Sequence, residues 1–327
     1  MAAPPPIAPL TGELSWRPAS IADADSISTL YDRCFEVDRG YRITAGEVRT
    51  ELKLPDGDPR SDTMLGVTAD GEIVALAWVI VPAGATTTFR VFDWNCVRPD
   101  YRGKGLGSYL LSWWEQRGRE RSIESPLPGV YRQHPYDWQH DRIELLEANG
   151  YRPQRYFTEL ARDLSAAVPD PVFPRGVRVA PWASAVSESA RRVSNAAFVD
   201  HWGSEPMESE RWEAWQDEFF DFDASAVVFA GEEPVALITC AIYEQDFEDR
   251  GRSEGWIERL GTVRQHRSRG LATALINRAL GSFSDRDIEY AVLGVDAANP
   301  TGALSLYERL GFMAEKVGVA YVKPITS

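Results

Sequence analysis

Cysteine is scarce, with three residues in 327, and neither a CxxC motif nor any paired spacing joins Cys34, Cys96 and Cys240. That excludes a disulfide framework and a thiolate zinc site, and makes a reducing cytoplasm the natural compartment. Basic residues are outnumbered: 35 Lys and Arg against 49 Asp and Glu give a formal net charge of −14 and a pI near 4.9. Binding a phosphate backbone needs a basic face that releases counterions, so no nucleic-acid partner is expected. An acidic chain suits a cationic or neutral small substrate, although a solvated surface accounts for the same charge. No apolar run approaches the length of about 20 residues that spans a bilayer, so no membrane partner is expected. The opening MAAPPPIAPL has no charged n-region and is broken by Pro4, Pro5, Pro6 and Pro9. Residues 1–12 are therefore expected to form a disordered tail rather than a signal peptide. His134 and His140 lack partners at metal-ligand spacing, and no metal is expected.

What is present is a repeat. ADGEIVAL at 69–76 returns as AGEEPVAL at 230–237, an offset of 161 (230 − 69). LLEANGY at 145–151 faces LYERLGF at 306–312 at the same offset, and YRGKGLG at 101–107 faces HRSRGLA at 266–272, offset by 165 (266 − 101). CFEVDRG at 34–40 faces AFVDHWG at 197–203. Four matches in one order mean a duplicated domain. With 44% hydrophobic and 26% charged residues the chain is ordinary globular material, long enough for two cores. The join is expected near residue 168, within DLSAAVPDPVFPRG, where Pro169, Pro171 and Pro174 stop regular structure. The expected domains are 13–168 and 169–327.

Each copy reads as an α/β unit. A short strand (LSWR at 14–17, VRVA at 177–180) precedes a helix. The β-branched runs IVALAWVIV at 73–81 and VALITCAIY at 235–243 suit buried strands. A further strand, FRVFDWNCV at 89–97 or GWIERLGTV at 255–263, leads into the glycine motif. A helix then starts near Gly105 or Gly270, with Leu271, Leu275 and Ala279 on one face. In the second copy a strand at 291–296 and a last helix after Asn299 follow.

A strand, a glycine loop and a helix start form an anion site, because the first-turn N–H groups have no intrahelical partners and the dipole favours negative charge. A Walker loop needs GxxxxGK and a dinucleotide fingerprint needs GxGxxG; neither spacing occurs here, since Ser108 stands where the third glycine belongs. The remaining pattern, Arg-x-x-Gly-x-Gly/Ala, occurs as Arg102, Gly105, Gly107 and again as Arg267, Gly270, Ala272. With it the chain resembles the GNAT superfamily of acyl-CoA-dependent N-acyltransferases, most specifically over 260–272 and 293–312. The resemblance implies two tandem GNAT-like domains, each a mixed, mostly antiparallel sheet flanked by helices. It also implies acetyl-CoA as cosubstrate. Its pyrophosphate would sit on Arg267, Ser268, Arg269, Gly270, Leu271 and Ala272, with Asn299 and the backbone of Leu260 and Thr262 holding the rest. In the first copy the corresponding set is Val97, Arg102, Gly103, Lys104, Gly105, Leu106 and Gly107.

Acyl transfer to an amine needs the amine neutral, so a base is required, and the thiolate leaving group is helped by a donor that stays protonated at pH 7. The resemblance gives the acid's role to the tyrosine of LYERLGF, Tyr307. Its counterpart in the first copy is Leu146, which has no proton to give, and the first copy lacks the NPTGA turn. The second copy is therefore expected to be catalytic and the first to hold cofactor at most. The family commonly places a glutamate on the strand before the loop. Ungapped alignment on Arg267 puts that position at Trp256, and period-two alternation brings Glu258 to the same face, so Glu258 is the expected base. Its counterpart is Asp93. His201 and Trp202 fall where the family shapes its acceptor pocket; Trp202 either lines it or packs on the neighbouring helix. The expected acceptor is a small-molecule amine attacking directly in a ternary complex, since no Ser/His/Asp or Cys/His set asks for a covalent intermediate. A coenzyme A-binding module without turnover is the alternative from another class. Two fused, similar domains can stand in for a homodimer, so a monomer is expected.

Overall fold

The computed structural model describes residues 13–199, 201–216, 218–298 and 303–326. The expected tail at 1–12 and the Asn299 turn lie outside the described residues. The chain forms two compact units: unit 1 holds residues 1–154 together with Val319–Ser327, and unit 2 holds Arg155–Gly318. Each half of the chain thus gives its final strand segment to the other half's unit. The join expected near residue 168 falls inside unit 2, after that exchanged segment.

Unit 1 contains β1 (Leu14–Arg17), α1 (Ala24–Asp38), α2 (Ala45–Glu51), α3 (Pro59–Asp62), β2 (Thr63–Thr68), β3 (Ile73–Ile80), β4 (Phe89–Asp93), β5 (Cys96–Val97), α4 (Leu106–Ser122), β6 (Gly129–Gln133), α5 (His140–Ala148) and the start of β7 (Arg152–Asp163). Its sheet runs β1-β2-β3-β4-β6, antiparallel except for the parallel β4–β6 pair. The strand expected at 89–97 is interrupted: Asn95 turns its side chain inward, and its Oδ1 accepts the Trp78 N–H at 2.9 Å in place of a backbone carbonyl. Continuous apolar sequence makes β3 the central strand, buried on both faces. Ile27, Leu30 and Cys34 of α1 cover one face, and Leu110, Leu111 and Trp114 of α4 cover the other.

Unit 2 repeats the plan with β8 (Val177–Pro181), α6 (Ser184–Ala197), α7 (Ser209–Ala214), β9 (Ala226–Ala230), β10 (Glu233–Ile242), α8 (Phe247–Arg250), β11 (Glu254–Thr262), α9 (Leu271–Ser284), β12 (Tyr290–Asp296), α10 (Ala303–Arg309) and β13 (Met313–Pro324), whose end belongs to unit 1. Its strand order is β8-β9-β10-β11-β12-β7, again with a single parallel pair, β11–β12, among mapped antiparallel ones. Leu271, Leu275 and Ala279 are fully buried, as the helical spacing of these residues requires. α9 packs tightly on the sheet at Gly255, where a Cβ would come within 2.6 Å of the Phe283 ring. Burial of each such large side chain contributes roughly 1.5–3 kcal/mol.

Candidate active site

Two local features of β11 shape the candidate site in unit 2. The first is a splay. β11 and β12 pair from Glu254↔Tyr290 to Ile257↔Leu293 and no further. Beyond that point β11 continues along β10 and β12 continues along β7. Val263 N–H donates to Val235 O at 3.0 Å, so alternation along the antiparallel pair turns the backbone groups of Leu260 and Thr262 away from β10, to the edge left open by the splay. Among the described residues no strand covers that edge. It is a ready template for an extended amide-bearing ligand, which would pair with it as an added strand does.

The second feature is a bulge. Thr239 pairs with Arg259 and Cys240 with Ile257, which leaves Glu258 as the extra residue on β11. A bulge places two successive side chains toward one face and re-aims those that follow. Gly255 lies against Phe283 of α9, whereas Gly261, six residues on, lies against Ala197 at the end of α6. Glu258 and Arg259 both face the α6 side. Glu258 Oε1 accepts the Tyr243 hydroxyl at 3.1 Å, and the Tyr243 ring lies edge-on to Trp256 at 6.3 Å. Arg259 Nη1 donates to Ser194 Oγ of α6 at 2.9 Å.

The glycine loop follows β11. Arg267 is not a free cation: Nε donates to Thr262 O at 3.1 Å and Nη2 to Ala197 O at 2.9 Å, clamping the loop onto the strand end and onto α6. Ser268 and Gly270 both have positive φ, 61° and 83°. The first helical bond runs from Ala274 N–H to Gly270 O, which leaves the N–H groups of Leu271, Ala272 and Thr273 without intrahelical partners. Arg269 is exposed, while the Leu271 side chain is a core anchor with 2% exposure. What the loop offers an anion is backbone, with Arg269 as a side-chain supplement.

Unit 1 builds the same loop. Arg102 Nε donates to Val97 O at 3.0 Å and its two Nη groups donate to Asp38 at 2.6 Å each. Gly105 has φ 83° and ψ −2°, against 83° and 1° for Gly270. Gly103 takes the positive φ of Ser268, Leu106 is buried, Gly107 lies against Leu145, and Lys104 Nζ sits 4.8 Å over the Tyr101 ring.

The units part company at the splay. β4 and β6 pair from Phe89↔Gly129 to Val91↔Tyr131. Past that point Arg142 Nη2 donates both to Asp93 Oδ2 at 3.0 Å, on the β4 arm, and to Gln133 Oε1 at 3.2 Å, on the β6 arm. Burial pushes the Asp93 carboxyl up, with Arg142 opposing it. Beside this strap His134 accepts from Arg132 Nε at 2.8 Å; burial, with Arg132 and Arg142 adding to it, pushes its imidazole down to about 3, so it is neutral. The ladder pairs Val91 with Tyr131 in unit 1 and Trp256 with Val292 in unit 2, so the positions of Asp93, Gln133 and Arg142 are taken in unit 2 by Glu258, Gly294 and Ala303. A Cβ on Gly294 would meet nothing within 4 Å.

Tyr307 stands on α10, the helix that follows the β12 arm. Its ring meets Phe312 edge-on at 6.0 Å and is 8% exposed, and its hydroxyl makes no hydrogen bond among the described residues. Burial pushes it up to about 12. Leu146 in unit 1 is a core residue with 1% exposure. Glu258 and Tyr307 thus belong to opposite arms of the splay, with no described contact joining them. Trp202, in the connection from α6 to α7, lies against Phe157 of β7 at 6.3 Å and beneath the Arg155 guanidinium at 5.6 Å. Sequence periodicity missed Tyr243, Arg259 and the Arg142 strap; an arginine inside the strand run GWIERLGTV was the one signal available.

Comparison with known proteins identifies the fold and the family. The Acetyltransferase (GNAT) family description matches residues 187–312, and the Acetyltransferase (GNAT) domain description matches residues 60–153. The mycothiol acetyltransferase of Salinispora arenicola is 30% identical over 233 residues, covering 69% of this chain and 70% of that protein. That of Salinispora tropica is 27% identical over 280 residues, 83% and 85% of the two chains. Among solved structures, a GCN5-related N-acetyltransferase from Sphaerobacter thermophilus aligns with a TM-score of 0.71 at 26% identity over 96% of both chains. A tandem GNAT protein from the clavulanic acid biosynthesis pathway shares the fold, with a TM-score of 0.68 at 14% identity over 96% of this chain and 99% of that one.

Proposed function

The chain belongs to the GNAT family of N-acetyltransferases, and from that membership we propose that unit 2 transfers the acetyl group of acetyl-CoA to a primary amine of a small molecule, while unit 1 does no chemistry. The observation that carries this division is the contrast at the splay. Arg142 ties the two arms of unit 1 together, and unit 2 has Gly294 and Ala303 there instead.

In this reading the pantetheine amides pair with the open edge at Leu260 and Thr262, and the pyrophosphate rests on the N–H groups from Ser268 to Thr273. Backbone pairing is directional and fixes the thioester without asking for side-chain chemistry. The amine attacks the thioester carbonyl directly. Glu258 takes the amine's proton, either at once or through water, and the Tyr243 hydroxyl holds its carboxylate in place. The C–S bond then breaks and Tyr307 donates to the leaving thiolate. A thiolate of pKa about 8.5 is a poorer base than a buried tyrosinate, so the hydroxyl stabilises the charge on the departing sulfur as a hydrogen-bond donor and the thiolate leaves without taking the tyrosine's proton to completion.

The curated relatives named above favour a narrower reading, in which the acceptor is the one they use. Against it stands Trp256, at the position where the family commonly has its glutamate. The deciding experiment is thiol release from acetyl-CoA by the full chain over a library of small amines. Turnover with any of them supports transfer. Tight binding of acetyl-CoA with no thiol release across the library overturns it in favour of a binding module.

A further inference from the structure

Arg259 has no task in acyl transfer as set out above, and its surroundings are unusual for a cation. Its guanidinium lies 5.3 Å from the Phe198 ring centroid and 5.2 Å from that of Trp215, the residues that cap α6 and α7. One of its five N–H donors is used, on Ser194 Oγ. Among the described residues no carboxylate lies within ion-pair distance of it. Glu258 acts on it only through space, its Oε1 accepting from Tyr243 instead. Arg250, Arg252 and Arg286 of this unit are ion-paired, with Glu159, with Glu254 and Glu315, and with Asp221, and Arg162, Arg267 and Arg278 are held by backbone carbonyls; among the described residues Arg259 has neither kind of partner. A desolvated charge without a counter-ion costs several kcal/mol, so an unmatched guanidinium at this depth calls for a partner. None of its nitrogens is both sealed from solvent and unbonded, so the unused donors open onto accessible space.

Place narrows the partner. The bulge puts Arg259 on the α6 face beside Glu258, against the residues that close α6 and α7. The corresponding residue of unit 1 is Trp94, packed on Trp78. The cation therefore occurs only in the unit that also has Tyr307. Two aromatic rings flank the guanidinium and offer its N–H groups no acceptor, and a guanidinium with donors to spare takes a carboxylate in bidentate fashion. The net charge of −14 does not oppose this, because surface charges are screened beyond about 8 Å at physiological salt.

We propose that Arg259 binds the acidic end of the acceptor, so that the amine acetylated by this enzyme carries a carboxylate. The inference rests on unit 2 being the transfer site.

The test uses matched pairs, α- and β-amino acids and their amides, with acetyl-CoA and the full chain, in wild type, Arg259→Met and Arg259→Lys. In wild type, kcat/KM for at least one acid exceeds that for its amide by about tenfold or more, since a site built to hold a polar group rejects the analogue lacking it. Arg259→Met removes the preference by lowering the rate on the acid while the amide stays within about twofold, and Arg259→Lys restores it in part. Wild type treating acid and amide alike overturns the proposal, as does a methionine variant that loses both equally, which is the mark of a packing role. If that variant does not fold, the wild-type ratio and the lysine variant decide. Amides acetylated in preference to acids would sink the carboxylate site and leave acetyl transfer standing. If no amine supports thiol release, the transfer reading falls by itself. Calorimetric titration of the same acids into wild type and Arg259→Met then decides, with equal or absent binding counting against the site.

Discussion

Replacing Tyr307 by Phe separates chemistry from packing because of where the hydroxyl lies. The ring is packed on Phe312 and buried, but the oxygen makes no hydrogen bond among the described residues. A typical intramolecular hydrogen bond contributes about 1 kcal/mol, and here none is lost. The variant should therefore melt within about 2 °C of wild type, as less than about 0.5 kcal/mol is at stake. Its rate should fall about 10²- to 10⁴-fold, the usual worth of general acid–base help, or roughly 2.7–5.5 kcal/mol of barrier. The pH dependence supplies a third readout. Burial pushes Tyr307 up to about 12, and the acid form is the active one, so activity is lost through this group only as pH rises toward 12. The linkage to stability has the same origin. Below pH 10 the residue is neutral folded or unfolded and contributes nothing; above pH 10 the unfolded chain ionises first, and wild type loses stability that the Phe variant keeps. The assay is single-turnover thiol release, where product release is invisible, beside thermal denaturation. A Phe variant within twofold of wild type in a single turnover refutes the acid assignment. A rate loss accompanied by a comparable loss of melting temperature refutes the separation.

Glu258→Gln keeps an acceptor for the Tyr243 hydroxyl but removes the base; kcat/KM should drop about 10²-fold at pH 7, and the deficit should shrink toward pH 10 as the amine sheds its own proton, whereas a pH-independent deficit contradicts a base role. Gly270→Ala puts a side chain at φ 83° in open space, so its cost is backbone strain alone, about 1–2 kcal/mol in chemical denaturation, with a raised KM for acetyl-CoA. Arg142→Ala strands the buried Asp93 carboxylate and should cost about 3–5 kcal/mol at pH 7. Asp93 is already raised by burial and rises further without its cation, so the penalty should shrink as pH falls and the carboxyl takes up a proton. Urea denaturation at pH 7 and pH 5 reads this, and unit 2 should keep its kcat within about twofold.

Much of the fold was legible because local chemistry and tertiary context agree. IVALAWVIV has the apolar continuity of a central strand, and Leu271, Leu275 and Ala279 have helical spacing; both do what their patterns imply. The glycine loops were legible because they are set by φ values that few residues adopt. Three features escaped because their causes are non-local. The ends of β7 and β13 are assigned by long-range strand pairing, and neither segment carries a local mark of it. The break in the strand at 89–97 depends on an Asn95 side chain standing in for a backbone carbonyl. The bulge at Glu258 leaves period-two reading intact on each side of it, so Arg259 reads as belonging to the opposite face from Glu258 when it shares that face.

Duplication makes one further point about where divergence between the two units lies. Their loops are nearly superimposable in φ and ψ, down to an arginine that returns to the carbonyl of the strand end in both, Val97 in one and Thr262 in the other. A loop held by backbone geometry tolerates changes at Gly103/Ser268 and Gly107/Ala272 because side chains hardly enter into what it offers. The arms of the splay are different in kind. What stands there is side chain: Asp93, Gln133 and Arg142 against Glu258, Gly294 and Ala303. Three substitutions at that point turn a cross-linked pair of arms into an open one, and a fourth, Leu146 against Tyr307, brings in a hydroxyl. Opening unit 1 therefore requires more than removing Arg142, since Asp93 is left charged in a buried site and Leu146 has nothing to give. The Arg142→Ala chain should gain no second transfer activity even where it folds, and a doubling of turnover per chain would show that the strap alone holds unit 1 silent.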